Sequence, residues 1–376
     1  MDEDLVASDE TVVWIEFDTM EAFMRDVFVG LGVPDEDARI CADVVITADK
    51  RGIDSHGIGR MKPFYYDRIV SGVQKPRTDF EVIREGPTTA VIDGHDGMGQ
   101  VIAHRAMALA MEKARKLGMG MTVVKNSWHY GIAGYYPLMA AAEDMIGISG
   151  TNARPLIAPT FGVQPMYGTN PLAIGLPSDE DFPFVIDCAT SATQRGKLEV
   201  YDRANRDIPE GWAIGQGGES RIDTRGLLED FPKGMAAMTP LGGVGELQGG
   251  HKGYGYGIVV EILSSALQGG AYLHALSGLD DGEKVPCHLG HFFMAVDVGA
   301  FTDPDRFKST VGDILRQLRS SKKAPGHNRI YTAGEKEYLA YLSRKDRGVP
   351  VNGPLQKDMI IMRDELGLEK YTFPFE

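Results

Sequence analysis

Cysteine is scarce in this chain: Cys41, Cys188 and Cys287 are the only three in 376 residues. They lie far apart with no CxxC spacing. That gives no disulfide framework and no zinc site, and it suits a reducing compartment. A run long and apolar enough to span a bilayer is also missing. The most apolar stretch, Gly255 to Leu276, carries Glu261 and several glycines and serines, so a buried helix explains it better. There is no basic excess either. Lys and Arg total 39 against 53 Asp and Glu, for a formal net charge of -14. A general affinity for nucleic acid or anionic membrane is thereby disfavoured, because both are polyanions. An anionic substrate must be drawn in by a local cation working against the global field. The start, Met1-Asp2-Glu3-Asp4, has no basic segment followed by an apolar one, so no signal peptide is visible and the cytoplasm is the expected address.

What is present reads as two domains. A chain of 376 residues exceeds the usual size of one, and an apolar share of 43% can build a sizeable core. Thr19 to Leu31 has the pattern of an amphipathic helix stopping at Gly32-Val33-Pro34. Pro34 opens a second helix with Asp35 and Glu36 in its first turn, where the helix dipole favours acids, running on to Gly52. A third spans Gly59 to Val70, broken near its start by Pro63. From Thr89 the texture changes. A strand at Thr89 to Ile92, a helix at Val101 to Leu117 and a β-rich run at Met121 to Val124 come first. A helix at Ala133 to Asp144 and strands at Ile146 to Ile148, Pro171 to Leu176, Phe184 to Ile186 and Phe292 to Val296 follow. Strand and helix in alternation predict an α/β layer architecture. Glycine-rich Asp202 to Gly226 reads as a long excursion, followed by a long helix at Tyr254 to Leu267. Three charged helical segments close the chain, near Pro304 to Ser320, Glu335 to Arg347 and Pro354 to Leu366. Helices at both ends predict a discontinuous helical domain of residues 1–88 and 304–376 around an α/β domain of residues 89–303.

Several clusters carry residues with chemistry. In Asp54-Ser55-His56-Gly57-Ile58-Gly59-Arg60, His56 is a proton carrier suited to neutral pH and Arg60 a bidentate grip for a carboxylate. Four residues apart, they share a face at a helix start. A capped helix end with a surface histidine reads the same way. Ser55-His56 as a hydrolytic pair is weak, since adjacent residues seldom face each other. Lys125 to Gly131 follows a strand and offers His129 as a second acid/base candidate, or a loop histidine satisfied by backbone. Arg154 follows another strand; it could hold a second carboxylate or be a surface arginine. The glycine-rich Leu241 to Gly255 includes Lys252 and precedes a helix, so its N–H groups could hold a pyrophosphate. Its spacing is not a dinucleotide fingerprint, and no strand with a following βαβ unit frames it. Cys287-His288-Leu289-Gly290-His291 matches no common zinc pattern, and no metal is expected.

Together these segments strongly resemble the type-2 malate/L-lactate dehydrogenase family, which includes ureidoglycolate and sulfolactate dehydrogenases. The matching stretches are DSHGIGR at Asp54–Arg60, NSWHYGIAGYY at Asn126–Tyr136, GTNPLAIGLP at Gly168–Pro177 and DCATS at Asp187–Ser191. PLGG at Pro240–Gly243, GGHKGYGYG at Gly249–Gly257, GHFFMAVD at Gly290–Asp297 and AGEKE at Ala333–Glu337 complete the set, in the family's order. The resemblance implies a mixed-sheet nicotinamide-binding fold that is not a Rossmann fold, which accounts for the missing fingerprint. It implies a homodimer with the active site near the subunit contact. It places Ser55, His56 and Arg60 in the substrate pocket with His129 beside them, and gives Asp187, Cys188, Ala189, Lys252, Gly334 and Glu335 to the cofactor. Either histidine could carry the proton, with His129 slightly preferred. The expected activity is hydride transfer between NAD or NADP, NAD favoured, and a small 2-hydroxy or 2-keto acid, above all malate. Lactate, sulfolactate and ureidoglycolate are the alternatives within the family. From other classes, a pyridoxal-phosphate enzyme using Lys252 and a non-catalytic binding protein compete.

Overall fold

A computed structural model of the chain describes residues 12–376, so the acidic start at residues 1–4 lies outside them. Contacts divide the described chain into two compact units. One takes residues 12–149, 173–187 and 292–376, the other residues 150–172 and 188–291. These bounds differ from the division after residues 88 and 303 read from the sequence. The helices of both chain ends share a unit with most of the central sheet.

That sheet has seven strands, here β1 (Glu81–Glu85), β2 (Thr89–Asp93), β3 (Met119–Ser127), β4 (Met145–Thr151), β5 (Leu172–Leu176), β6 (Phe184–Cys188) and β7 (Leu289–Asp297), in the order β1-β2-β3-β7-β4-β5-β6. It is mixed: β1 runs antiparallel to β2, and β2 parallel to β3. The connection from β2 to β3 is the helix Gly99–Leu117, whose apolar face (Ile102, Ala103, Ala106, Met107, Ala110) packs on Ile92 and Val124 of those strands. A crossover helix is what a parallel pair requires. No fingerprint glycine motif opens it.

The terminal helices form a second core in the same unit. Helix Phe17–Gly30 turns Met20, Phe23, Met24, Val27 and Phe28 inward at helical spacing, toward Val45 and Ile46 of helix Asp35–Lys50. Met359 and Met362 of helix Gly353–Glu365 and Phe373 join that cluster. Val13–Ile15 pairs antiparallel with Val349–Val351, which ties one end of the chain to the other.

The other unit has its own smaller core around Ile157, Tyr167, Leu198, Leu227 and Met238. Two helices, Arg195–Arg203 and Thr224–Asp230, and a short pair of strands, Ala213–Gly215 with Ala236–Met238, lie in and around the stretch expected to be an excursion. The long helix begins earlier than its apolar pattern predicts, at Gly250, and ends at Leu263. Among the described residues no helix is long and apolar enough to cross a membrane, and none of the cysteines is in a disulfide.

Candidate active site

The segment that carries His56 starts as a turn and becomes a helix of changing pitch. Ile58–Arg60 is a 3-10 turn, Met61–Tyr66 a π-helical turn and Asp67–Val70 an α turn. A single helix from Gly59 to Val70 broken at Pro63 was expected. The chain instead widens around Pro63, which lacks an N–H and whose ring crowds an α-helical carbonyl four residues back. The Ser55 and His56 side chains also depart from expectation. Adjacent helical residues diverge, but in the turn here Ser55 Oγ meets His56 Nδ1 at 2.9 Å.

Beneath this segment, at the end of helix Asp35–Lys50, Asp49 is buried and accepts the Ile58 N–H at 2.8 Å. Burial pushes its pKa well above the usual carboxylate range, Asp54 adds to this, and the Ile58 N–H and Arg344 oppose it. A side chain at Gly57 would overlap the Asp49 carboxylate, so only glycine lets the turn close over it. Asp54 is held from the other side by Arg344, at 2.5 and 2.9 Å in a two-point contact, and the same guanidinium reaches the Asp49 carbonyl at 2.7 Å.

His129 comes from the carboxyl end of β3, as α/β architecture leads one to expect. Gly99, opening the crossover helix, lies so close to the Trp128 and His129 carbonyls that a Cβ would collide with both. Tyr65 Oη lies 2.8 Å from His129 Nδ1, and the Gly131 N–H points to the same nitrogen at 3.3 Å. The rings of His56 and His129 stack with centroids 5.5 Å apart and planes 17° from parallel. Phe64 tilts against His129 at 5.1 Å, with the guanidinium of Arg60 at 4.6 Å from its ring centre and that of Arg68 at 4.5 Å. Arg60 Nε also donates to the Ser55 carbonyl. Ser55, His56, Arg60 and His129 are thus brought together. Burial, then the nearby charge of Arg60, lowers the His56 pKa from 6.5 to about 4, so the ring is neutral at physiological pH.

Asp187, in β6 of the same unit, accepts the Gly134 N–H at 2.7 Å, at the start of helix Tyr135–Ala141. The residue is exposed at the surface, yet desolvation of its carboxyl, with Glu337 adding to it, raises its pKa to about 6 against the pull of the Gly134 N–H and Arg51. Gly334 packs on the Pro183 carbonyl. The buried Glu335 carboxylate turns inward: it accepts the Thr332 N–H at 2.9 Å and pairs with Arg329. Its side chain is occupied in closing its own helix start. Arg154, Cys188, Ala189 and Lys252 belong to the other unit; Arg154 and Lys252 are exposed. His291 is buried with Nδ1 2.7 Å from Thr151 Oγ1, and among the described residues no group of three His, Cys, Asp or Glu is placed to hold a metal.

Sequence reasoning missed Asp49, Phe64, Tyr65 and Arg344. For Asp49 a signal existed: Cys41, Val45 and Ala48 mark the buried face of its helix, and Asp49 continues that face at helical spacing.

Two stacked imidazoles beside a guanidinium offer a proton carrier and a carboxylate grip, the groups that an oxidoreductase acting on the CH–OH of a hydroxy acid needs. Comparison with known proteins gives the same class. The family model described as malate/L-lactate dehydrogenase matches residues 15–360, and the chain belongs to that family. It is 44% identical over 361 residues to malate dehydrogenase of Pyrococcus horikoshii, covering 96% of this chain and 98% of that one. It is 37% identical to L-sulfolactate dehydrogenase of Methanocaldococcus jannaschii, covering 91% and 94% respectively. The crystal structure of malate dehydrogenase from Entamoeba histolytica superposes with a TM-score of 0.92 at 45% identity, over 97% of this chain and all of that one. The pyridoxal-phosphate reading of Lys252 falls with this result.

Proposed function

We propose that this protein interconverts malate and oxaloacetate, with a nicotinamide dinucleotide as hydride partner. The observation that carries the reading is the His56–His129 pair with Arg60 alongside, in a chain so similar to malate dehydrogenases. His129 takes the hydroxyl proton through its Nε2, and Arg60 orients the C1 carboxylate by its fork of N–H donors. Ser55 and His56 are assigned to the same pocket, their side chains joined at 2.9 Å. Arg154 is assigned to the distal carboxylate.

The residues present fit the cofactor. A groove of about 390 Å³ is lined by Leu241, Gly242, Gly249, Lys252 and Tyr256 at the start of helix Gly250–Leu263. A Cβ on Gly242 would come within 2.6 Å of the Gly249 carbonyl carbon, so the loop stays a bare backbone cradle. Backbone N–H groups at a helix start and an ammonium suit a pyrophosphate. Asp187, Cys188, Ala189, Lys252, Gly334 and Glu335 are the residues assigned to holding it. When bound, the nicotinamide supplies the acceptor for the C2 hydride. The same reading takes NAD over NADP, a homodimer with the site near the subunit contact, and a cytoplasmic address.

Sulfolactate is the second reading, favoured by the 37% identical relative and by the same demand for two cationic grips. Steady-state turnover on malate, sulfolactate, lactate and ureidoglycolate, each with NAD and NADP, tests both. Negligible malate turnover refutes the first; light scattering in solution tests the dimer.

A further inference from the structure

Tyr65 lies at the centre of the first unit, and the reaction as described gives it no part. Its ring is fully buried, 5.7 Å from Phe28 and 5.9 Å from His129 between centroids. Its hydroxyl and the Gly131 N–H address one atom, His129 Nδ1.

The two partners are not equivalent. A backbone N–H can only donate, so Gly131 favours the tautomer with a lone pair on Nδ1 and the proton on Nε2. That tautomer cannot take a substrate proton at Nε2. For Nε2 to act as a base, Nδ1 must carry hydrogen and find an acceptor, both before the transfer and in the imidazolium that results. A hydroxyl turns about its C–O bond and serves either state, as donor or as acceptor. A carboxylate in its place would accept only, and would raise the pKa of the imidazolium further than a hydroxyl does.

We propose that Tyr65 is a positioning residue for the proton carrier, its hydroxyl accepting from His129 Nδ1 so that Nε2 carries the lone pair that takes the substrate proton. This rests on the reading of His129 as the carrier. Burial pushes the Tyr65 phenol up, Cys41 adds to this, and Arg68 and Arg60 work against it; the group stays a neutral hydroxyl. The charged and titratable groups around the pair are His56, stacked on His129, the guanidiniums of Arg60 and Arg68 over Phe64, and Cys41. The cations disfavour a charged imidazole, which makes a neutral, reversible acceptor at Nδ1 the more useful.

The test compares Tyr65→Phe with wild type and with Tyr66→Phe, whose hydroxyl instead bonds Glu365. In the protein without cofactor, nitrogen NMR of the histidine rings should show His129 titrating at lower pH in Tyr65→Phe, with the Nε2–H tautomer more populated. Turnover of the hydroxy acid should fall about 10- to 100-fold, a general-base effect, with NADH binding unchanged. Tyr66→Phe should match wild type. An unaltered His129 titration and tautomer in Tyr65→Phe overturns the proposal. Full turnover in His129→Ala overturns the reading beneath it and the proposal with it, whatever the NMR shows.

Discussion

The imidazoles of His56 and His129 lie nearly parallel at 5.5 Å, one from a turn after the second helix and one from the end of β3. They differ in partners. His56 has the Ser55 hydroxyl at Nδ1, and His129 has Tyr65 and Gly131.

His129→Ala should reduce turnover by about 100-fold or more with a modest change in KM, the mark of a group acting in the transition state. His56→Ala should raise KM more than it lowers kcat. Steady-state kinetics on both variants checks this, and an inactive His56→Ala beside an active His129→Ala would exchange the roles.

Stability should depend on His56 in acid. Unfolded, the ring takes its proton near 6.5; folded, near 4, because of burial first and Arg60 second. Between those values the unfolded chain binds more protons, so this contribution is intact above about pH 6.5 and lost as pH falls toward 4. Its ceiling is about 3 kcal/mol from the size of the shift, lessened by partial solvent access. Urea unfolding between pH 4.5 and 7 should show a shallower pH dependence in His56→Asn than in wild type.

Gly57→Ala should be costly where an exposed glycine change would not be. Its new methyl overlaps the Asp49 carboxylate, which has no room to retreat. Overpacking of this kind costs about 1–3 kcal/mol, and the displaced turn should carry His56 out of place. Adding Asp49→Ala should restore part of both stability and activity. A double-mutant cycle with no coupling would show that the two positions do not meet.

Arg344→Met should destabilise by about 2 kcal/mol, since hydrogen bonds from a buried charged group are lost. Asp54→Asn should cost less, because that carboxylate faces water. Thermal melts give the order, and equal effects would contradict the two-sided role of the arginine.

Much of this was legible in the sequence, and the reasons differ from place to place. The helix near Pro304 to Ser320 was readable because a proline opens it, and in the structure Asp303 caps it. His56 and Arg60 could be paired from their spacing. The contact of Ser55 with His56 could not, since a turn and a helix start share the same residues until tertiary packing chooses. β1 carries no burial contrast, with all five residues exposed at the sheet edge, so no alternation marks it. Helices Arg195–Arg203 and Thr224–Asp230 hide among glycines and charges, where local composition reads as loop. Tyr65 was invisible as a partner of His129 because 64 residues separate them in sequence.

The wide turn at Met61–Tyr66 has a consequence for length. A π turn accommodates about one residue more than an α turn. Losing one residue from an α-helix rotates everything beyond it by about 100° around the axis; here the wide turn already absorbs the extra residue, so removing it would let the turn regularise and leave Arg68 facing much as before. The loss would fall inside the turn, on Phe64 and Tyr65, the two rings that meet His129.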